Sequence, residues 1–303
     1  MSFRRYARRA DILMITACFL WAAGTVLSKN AFGMEPDSFR VDIFNGLRFP
    51  IATALLFITL KLSGSNVSIQ PKHIPGFAAV SFFGMFLFIV LFHHGLAETT
   101  ASNTGIIMAA IPLTILIISF IAGVEKLDRW LISGIVVGLC GVILMNVQSQ
   151  EFTFGKGVSL VFLSCFSWGI YAVYGEKYMC RYSPMVTIAW IFLFTSLYHI
   201  PLIMYQLSEQ SWGSISGSNW FNLGFAAVVP LFIANTIYFS SIQKMGASHS
   251  GIYIYLEPVF TVILAYVIRN ERISFLHFIG FAVIIAGVSI SRMNRNRKKQ
   301  SKC

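Results

Sequence analysis

The sequence predicts an all-α membrane protein of ten transmembrane helices, arranged as two inverted repeats of five helices each. Three observations lead to this fold class: an apolar composition, a series of apolar stretches of membrane-spanning length, and an internal repeat. Of the 303 residues, 56% are hydrophobic and 12% are charged, whereas soluble domains carry about 25% charged residues. We therefore expect a bilayer to surround most of the chain.

Ten stretches of mostly apolar residues are long enough to cross a bilayer as helices. They cover residues 11–31, 43–62, 75–96, 101–122, 130–147, 156–178, 184–206, 220–243, 248–268 and 273–291. The connections between them are too short to hold a separate domain. We divide the chain into a basic tail (1–10), a first five-helix repeat (11–147), a second five-helix repeat (156–291) and a second basic tail (292–303).

An internal repeat relates the two halves of the chain. The segment ASNTGI at 101–106 returns 146 positions later as ASHSGI at 247–252. The motif Cys-Phe-x-Trp at 18–21 returns 147 positions later at 165–168. Because five is odd, the second copy must enter the membrane from the opposite side. Inverted repeats of this kind are an architecture of secondary transporters, with the substrate site near the midplane between the halves.

Arg and Lys residues are distributed unequally between the two sides of the predicted bundle. When both termini are placed on one side, that side carries 17 of the 23 Arg and Lys residues. Such residues are concentrated in cytoplasmic loops, so we expect a multi-pass protein of the cell (inner) membrane with both termini in the cytoplasm. The net charge of +11 then reflects membrane topology and lipid-binding tails, and we expect membrane lipid but no nucleic acid as a partner.

Motifs shared by the two halves resemble a known family. Both halves carry the pattern A-S-x2-G-x6-P-x12-E-x8-G-x6-G-V, and Tyr255-Leu256-Glu257-Pro258-Val259 is followed by Asn270-Glu271-Arg272. These residues resemble the drug/metabolite transporter superfamily, in its ten-helix EamA-type branch. The resemblance covers about 10–291. It implies a carrier that exports amino acids, other metabolites or toxic compounds, although some members import, and it leaves the substrate, the direction and the coupling ion open.

Other classes of function lack their sequence signals. The chain contains no H-E-x-x-H, no G-x-S-x-G and no nucleotide-binding loop, so we predict neither an enzyme nor an ATP-driven pump, and no cofactor. Its five cysteines form no C-x-x-C pair, and we expect no metal site. Within transport, an importer or a facilitated-diffusion carrier of a cationic or aromatic solute stays open, with protons as the candidate coupling ion, as does the choice between a monomer and a homodimer.

Glu257 is the first candidate site residue. It lies in the middle of an apolar span, and the equivalent residue of the first half is Ile111. A carboxylate at the bilayer centre costs roughly 3 kcal/mol on the insertion scale, so we expect it to face the interior and to meet the substrate or a proton. His249 and Tyr253 precede it at intervals of four residues, which predicts a shared helix face. The alternative is a protonated, structural glutamate bonded to a neighbouring helix.

Aromatic residues form a second set of candidates. Trp21 and Trp168 are duplicated, Tyr171 lies on the sixth span, and Asn235 and Tyr238 lie on the eighth. Together they predict a cavity walled by rings, which suits a cationic, zwitterionic or aromatic solute. Helix packing is the alternative interpretation of each single ring.

Two charged or titratable residues and two prolines complete the predicted site. Arg48 either meets a substrate carboxylate or pairs with Asp42 or Glu98, and His93 is predicted to handle protons. Pro112 and Pro258 each remove a backbone hydrogen bond within a span. We expect both kinks to line the central cavity, because exposed backbone is tolerated there; a passive kink between packed helices is the alternative.

Overall fold

A computed structural model of the chain describes residues 3–28, 31, 37–98, 104, 107–125, 128–146, 155–269 and 274–292. These residues form ten helical segments. The first five are α1 (Phe3–Ser28), α2 (Val41–Leu62), α3 (Ile74–Val80, Ser81–Phe86 and Leu87–Ala97), α4 (Ile111–Ile121) and α5 (Arg129–Asn146). The second five are α6 (Lys156–Tyr178), α7 (Pro184–Gln206), α8 (Gly217–Ala226, Ala227–Ala234 and Asn235–Met245), α9 (Ala247–Gly251, Ile252–Tyr255 and Leu256–Arg269) and α10 (Phe275–Ser291). Short 3-10 turns lie in the connections, at Pro71–His73, Leu207–Glu209 and Trp212–Ser214.

The helices have the length and composition of membrane spans. Seven of them are long and apolar enough to cross a bilayer, and α4, α5 and α10 are shorter apolar helices. Large apolar side chains such as Phe83, Ile121 and Phe275 are exposed on the outside of the bundle, as is expected of a surface that faces the hydrocarbon of a bilayer. The predicted all-α bundle of ten helices is confirmed, and the chain is a multi-pass membrane protein. The helix α1 differs in one respect, since it begins at Phe3 and not at the predicted residue 11.

The pairing of helices has the symmetry of an inverted repeat. Helix α1 packs against α8 and α9, and its counterpart α6 packs against α3 and α4. Two further contacts join counterparts to each other, α2 with α7 and α5 with α10. Exchanging the two halves therefore reproduces every one of these contacts, as a two-fold axis between the halves requires.

Two buried cysteines show the same symmetry at the level of single atoms. The Sγ of Cys18 on α1 donates to the carbonyl oxygen of Tyr253 on α9 at 3.1 Å. The Sγ of Cys165 on α6 lies 3.4 Å from the carbonyl oxygen of Ile107 at the entrance to α4. Cys165 is the copy of Cys18 and Tyr253 is the copy of Ile107, so the second contact is the image of the first.

The helical irregularities are duplicated as well. Helices α3 and α8 each contain a wide π-helical turn, over Ser81–Phe86 and Ala227–Ala234. Pro230 lies in the second of these turns, where it supplies no N–H to the helix. Helices α4 and α9 each break before a proline: a turn precedes Pro112, and the 3-10 turn Ile252–Tyr255 precedes Pro258. Each proline therefore follows an irregular turn of its helix. Pro112 is buried and Pro258 is half-buried.

Glycines bring α5 and α10 into backbone contact. A Cβ atom added at Gly134 would lie 2.6 Å from the carbonyl oxygen of Gly287. One added at Gly141 would lie 2.9 Å from the carbonyl oxygen of Gly280. Small residues at such positions let membrane helices approach closely, and each half supplies the same two glycines.

Candidate functional site

Three helices from both halves bring aromatic rings together at the centre of the bundle. Trp21 on α1, Trp168 on α6 and Tyr238 on α8 form a triangle, with ring centroids 5.5, 5.1 and 5.8 Å apart. Tyr171 lies 5.4 Å from Trp168 on the same helix. We call these four residues the aromatic cluster. The sequence predicted that they would lie together, and the structure places them side by side.

The π-helical turn of α8 fixes the orientation of this cluster. The carbonyl oxygen of Pro230 accepts a hydrogen bond from the indole Nε1 of Trp21 at 3.2 Å and another from Nδ2 of Asn235 at 2.8 Å. The hydroxyl of Tyr171 donates to Oδ1 of Asn235 at 2.9 Å. A wide turn of this kind exposes backbone carbonyls, and such turns are frequent at functional sites. Asn235 therefore links Tyr171 of the cluster to the carbonyl of Pro230, which also positions Trp21.

Two polar atoms of the cluster, the indole Nε1 of Trp168 and the hydroxyl oxygen of Tyr238, make no hydrogen bond of ordinary geometry among the described residues, and both are fully enclosed. The two groups nevertheless lie close enough to interact with each other, with the indole as the donor. Buried polar groups are normally hydrogen-bonded, so we take the Tyr238 hydroxyl as the acceptor for Trp168. The Tyr238 hydroxyl proton is then the group of the cluster that a bound solute could accept.

Glu257 lies in the first turn of the α9 segment Leu256–Arg269, and α9 packs against α1, the helix that carries Trp21. Within the described part of the chain, its carboxylate makes no hydrogen bond and no ion pair, and its side chain is half-buried. It lies within electrostatic range of Cys18 on α1, one helical turn before Trp21. Because an unpaired carboxylate is costly at this depth, the position is suited to meeting a cation or a proton.

The other two residues of the predicted polar face of α9 lie nearer the end of the bundle where α1 begins and α10 ends, which we call the terminal end. Tyr253 is buried, and its hydroxyl donates to Oδ1 of Asp11 at 2.6 Å. Asp11 also accepts from Arg292 at the end of α10. His249 is half-buried, one turn closer to that end. The 3-10 turn Ile252–Tyr255 changes the helical period between Tyr253 and Glu257. The predicted polar face is therefore divided, and Tyr253 connects α9 to α1 through Asp11.

Arg48 and His93 lie in a separate polar cluster near the opposite end. The Nδ1 of His93 on α3 is 3.4 Å from Nδ2 of Asn45 on α2, and the Arg48 guanidinium lies within electrostatic range of His93 and of His199 on α7. His199 stacks on Phe49, with ring centroids 5.4 Å apart. We call Arg48, Asn45, His93 and His199 the Arg48 cluster. Of these four residues, only Arg48 and His93 were predicted from the sequence.

A series of rings on α3 connects the two clusters. His93 lies 5.1 Å from Phe92, Phe92 stacks on Phe88 at 5.6 Å, and Phe88 lies 4.8 Å from Trp168. Ring contacts thus form a line from the Arg48 cluster to the aromatic cluster, and α9, with Glu257 and Tyr253, packs against α1 of that cluster.

Three polar residues of this line were not predicted: Asp11, Asn45 and His199. Asn45 and His199 carry a signal that sequence comparison of the halves could have found, because their counterparts at the shift of 147 are Phe192 and Ala52. Asp11 was predicted to lie at the start of the first span, so the residue pattern carried no signal that it would be buried within α1. No group of three or more metal-ligating side chains occurs among the described residues.

The fold and the line of polar groups define a class of protein. Two inverted five-helix repeats pack against each other with a group of aromatic rings between them, which is the organisation of a secondary transporter.

The family model described as EamA-like transporter family matches the chain twice, over residues 8–147 and 155–293. The chain belongs to this family, within the drug/metabolite transporter superfamily, and it is a transporter and not an enzyme.

Named relatives and a solved structure agree with this assignment. The chain is 28% identical to the uncharacterized transporter YetK of Bacillus subtilis (strain 168), over 86% of this chain and 81% of YetK. It is 23% identical to the uncharacterized inner membrane transporter YedA of Escherichia coli (strain K12), over 63% of this chain and 61% of YedA. A chain in a crystal structure has the same fold, with a TM-score of 0.79 at 22% identity, covering 95% of this chain and 98% of that chain.

Proposed function

We propose that the protein exports a small metabolite, such as an amino acid, across the cytoplasmic (inner) membrane by alternating access. The observation that carries the proposal is that the aromatic cluster and Glu257 lie on helices of the interface between the two inverted halves, where α1 packs against α8 and α9. A solute can reach a binding site at this interface from either end of the bundle when one half rocks against the other. Glu257 serves as the group that takes up a proton or meets a cationic group of the solute.

Contacts at the two ends of the bundle would alternate during such a cycle. At the terminal end, Asp11 joins α1 to Tyr253 of α9 and to Arg292 after α10. At the opposite end, Lys156 of α6 pairs with Glu98 after α3 at 2.7 Å. Each contact joins helices that approach across the interface between the halves, so each must loosen when its end opens.

Both termini are proposed to face the cytoplasm, which the Arg and Lys bias supports. YedA, a relative, is named as an inner membrane protein. Single cysteines at Ser65, between α2 and α3, and at Ser211, between α7 and α8, test the orientation because both residues are exposed. In a background without native cysteines, an impermeant thiol reagent outside intact cells should label position 211 and leave position 65 unlabelled. The reverse pattern would contradict the orientation.

A transport panel tests the function. Purified protein in liposomes is given radiolabelled amino acids, with and without a pH gradient, and saturation and counterflow are measured. We expect saturable flux with counterflow for at least one amino acid. Linear flux without counterflow would instead indicate a channel.

A carrier of cationic or aromatic amines is the second candidate. It is favoured by one observation, the unpaired Glu257 carboxylate on α9, which packs against the helix that carries Trp21, because ring faces and a carboxylate both attract cations. Phenethylamine added to the same panel separates the two candidates. Saturable flux of this amine without flux of any amino acid would select the second.

A further inference from the structure

The Arg48 cluster contains polar groups that the internal repeat does not duplicate. Asn45 and Arg48 lie on α2, and His199 lies on α7. At the shift of 147, the counterparts of Asn45 and Arg48 are Phe192 and Thr195, and the counterpart of His199 is Ala52. Each of these three polar groups is therefore present in one half only, unlike the small residues that both halves share.

Arg48 has no anionic partner in the described part of the chain. Its guanidinium lies over the rings of Phe44 and Phe49, at 5.3 and 5.8 Å from their centroids. Its Nε is fully enclosed and makes no hydrogen bond. The residue as a whole is half-buried.

The two carboxylates expected to pair with Arg48 are engaged elsewhere. Asp42 accepts a hydrogen bond from Nε2 of Gln206 at 2.7 Å and lies 3.7 Å from Nε2 of His94. Glu98 pairs with Lys156. An unpaired guanidinium within a span is costly, and arginine binds carboxylates through two parallel hydrogen bonds better than any other side chain. The missing partner of Arg48 is therefore best supplied by an anionic ligand.

One neighbouring atom specifies what else this ligand carries. The Nε2 of His199 is fully enclosed and makes no hydrogen bond among the described residues. The Nδ1 of His199 lies 2.8 Å from the carbonyl oxygen of Thr195. A carbonyl only accepts, so Nδ1 carries the ring proton and Nε2 of the neutral ring is an acceptor. By the same rule Nδ1 of His93, 2.8 Å from the Ile89 carbonyl oxygen, carries a proton, so its contact with Asn45 does not fix which end of that amide is free.

We propose that Arg48 and His199 bind a carboxylate whose neighbouring carbon carries a hydrogen-bond donor, as in an α-amino or α-hydroxy acid. Arg48 takes the carboxylate, while Nε2 of His199 accepts from the amino or hydroxyl group. The inference rests on the proposed function only in treating this ligand as the transported solute. The rings of Phe92 and Phe88 then lead from this site to the aromatic cluster, so the solute passes both.

Four probes that share a phenyl ring test the site: L-phenylalanine, 3-phenyllactate, 3-phenylpropionate and phenethylamine. Each is titrated against the full chain in detergent at constant ionic strength, and the unfolding temperature is measured, because a ligand that binds the folded state raises it. We expect phenylalanine or phenyllactate to bind at least tenfold more tightly than phenylpropionate, or about 1.4 kcal/mol. Whichever of these two acids binds more tightly shows whether the preferred donor is an amino or a hydroxyl group.

Arg48→Gln should weaken binding of the preferred acid tenfold or more and leave the response to phenethylamine unchanged. Arg40→Gln is the matched control, since Arg40 lies at the same end of the bundle and already pairs with Glu209 at 2.6 Å; its titrations should match the wild type. Equal responses of the wild type and the Arg48→Gln variant to the acids would overturn the proposal. So would a wild type that responds to no acid.

His199→Phe keeps a ring stacked on Phe49 and tests the acceptor role even if Arg48→Gln does not fold. This variant should lose the preference for the substituted acids over phenylpropionate, and a retained preference would contradict the role of His199. None of these measurements requires flux. A chain that binds the acids in an Arg48-dependent way but transports none would keep this inference and refute the proposed function.

Discussion

Two helix crossings lie on the pseudo-two-fold axis, and they differ in what the two halves contribute. At the α5–α10 crossing, Gly134 meets Gly287 and Gly141 meets Gly280, so both halves supply the same residues. At the α2–α7 crossing, one half supplies Asn45 and Arg48 and the other supplies His199. The symmetric contacts of the α5–α10 crossing therefore stabilise the fold. The asymmetric residues of the α2–α7 crossing are the ones in which the halves have diverged, and they carry the groups proposed to bind a solute.

Gly134→Ala should give the largest loss of stability, because the new Cβ would meet a backbone oxygen at 2.6 Å that cannot move aside. We expect a cost of about 1–3 kcal/mol from overpacking, measured as a lower unfolding temperature in detergent. Gly224→Ala on α8 is the control, since nothing lies within 4 Å of its added Cβ. Equal stabilities of the two variants would contradict the scaffold role of the α5–α10 crossing.

Tyr171→Phe should give an intermediate loss. Tyr171 is fully buried, and without its hydroxyl the Oδ1 of Asn235 loses its donor, which costs about 1–3 kcal/mol. The unfolding temperature should fall, and affinity for the transported solute should fall with it because Asn235 orients the aromatic cluster. The exposed Tyr205→Phe serves as the control, and an unchanged Tyr171→Phe variant would show that the hydroxyl does not position the site.

Gly46→Ala sharpens the comparison at the other crossing. The new Cβ would overlap the end of the Ile203 side chain, which can rotate away. We therefore expect a cost below that of Gly134→Ala, under about 1 kcal/mol, in the same unfolding measurement. A cost as large as that of Gly134→Ala would show that both crossings are equally rigid.

Thr53→Val should have the smallest effect. The hydroxyl of Thr53 bonds to the Phe49 carbonyl of its own helix at 2.8 Å and lies 3.2 Å from the Ser196 hydroxyl across the crossing. Polar contacts between membrane helices contribute roughly 0.6 kcal/mol on average, so the unfolding temperature should stay close to that of the wild type. A loss above that of Gly134→Ala would reverse the assignment of scaffold and site.

The sequence was sufficient for the number of helices and for their duplication, because both depend on apolar length and on repeated small residues. It also singled out Trp21 and Trp168, whose ring centroids lie 5.5 Å apart. It did not reveal that Tyr253 points to Asp11, because the 3-10 turn before Pro258 alters the helical period in a way that residue spacing does not show. It also missed Asn45 and His199, whose partnership with Arg48 depends on which faces of α2 and α7 meet.

The central claim is that Glu257, at the meeting of the two halves, couples solute movement to protons or to a cationic group. Its most direct test compares Glu257→Gln with the wild type in liposomes across a range of pH, with folding checked on the same preparation. Glu209→Gln is the matched control, because Glu209 is exposed and paired with Arg40. The amide keeps the shape of the carboxylate but does not ionise, so we predict that Glu257→Gln keeps its fold and loses gradient-driven transport, while Glu209→Gln transports like the wild type. Wild-type flux with unchanged pH dependence in Glu257→Gln would contradict the account and make Glu257 part of the scaffold.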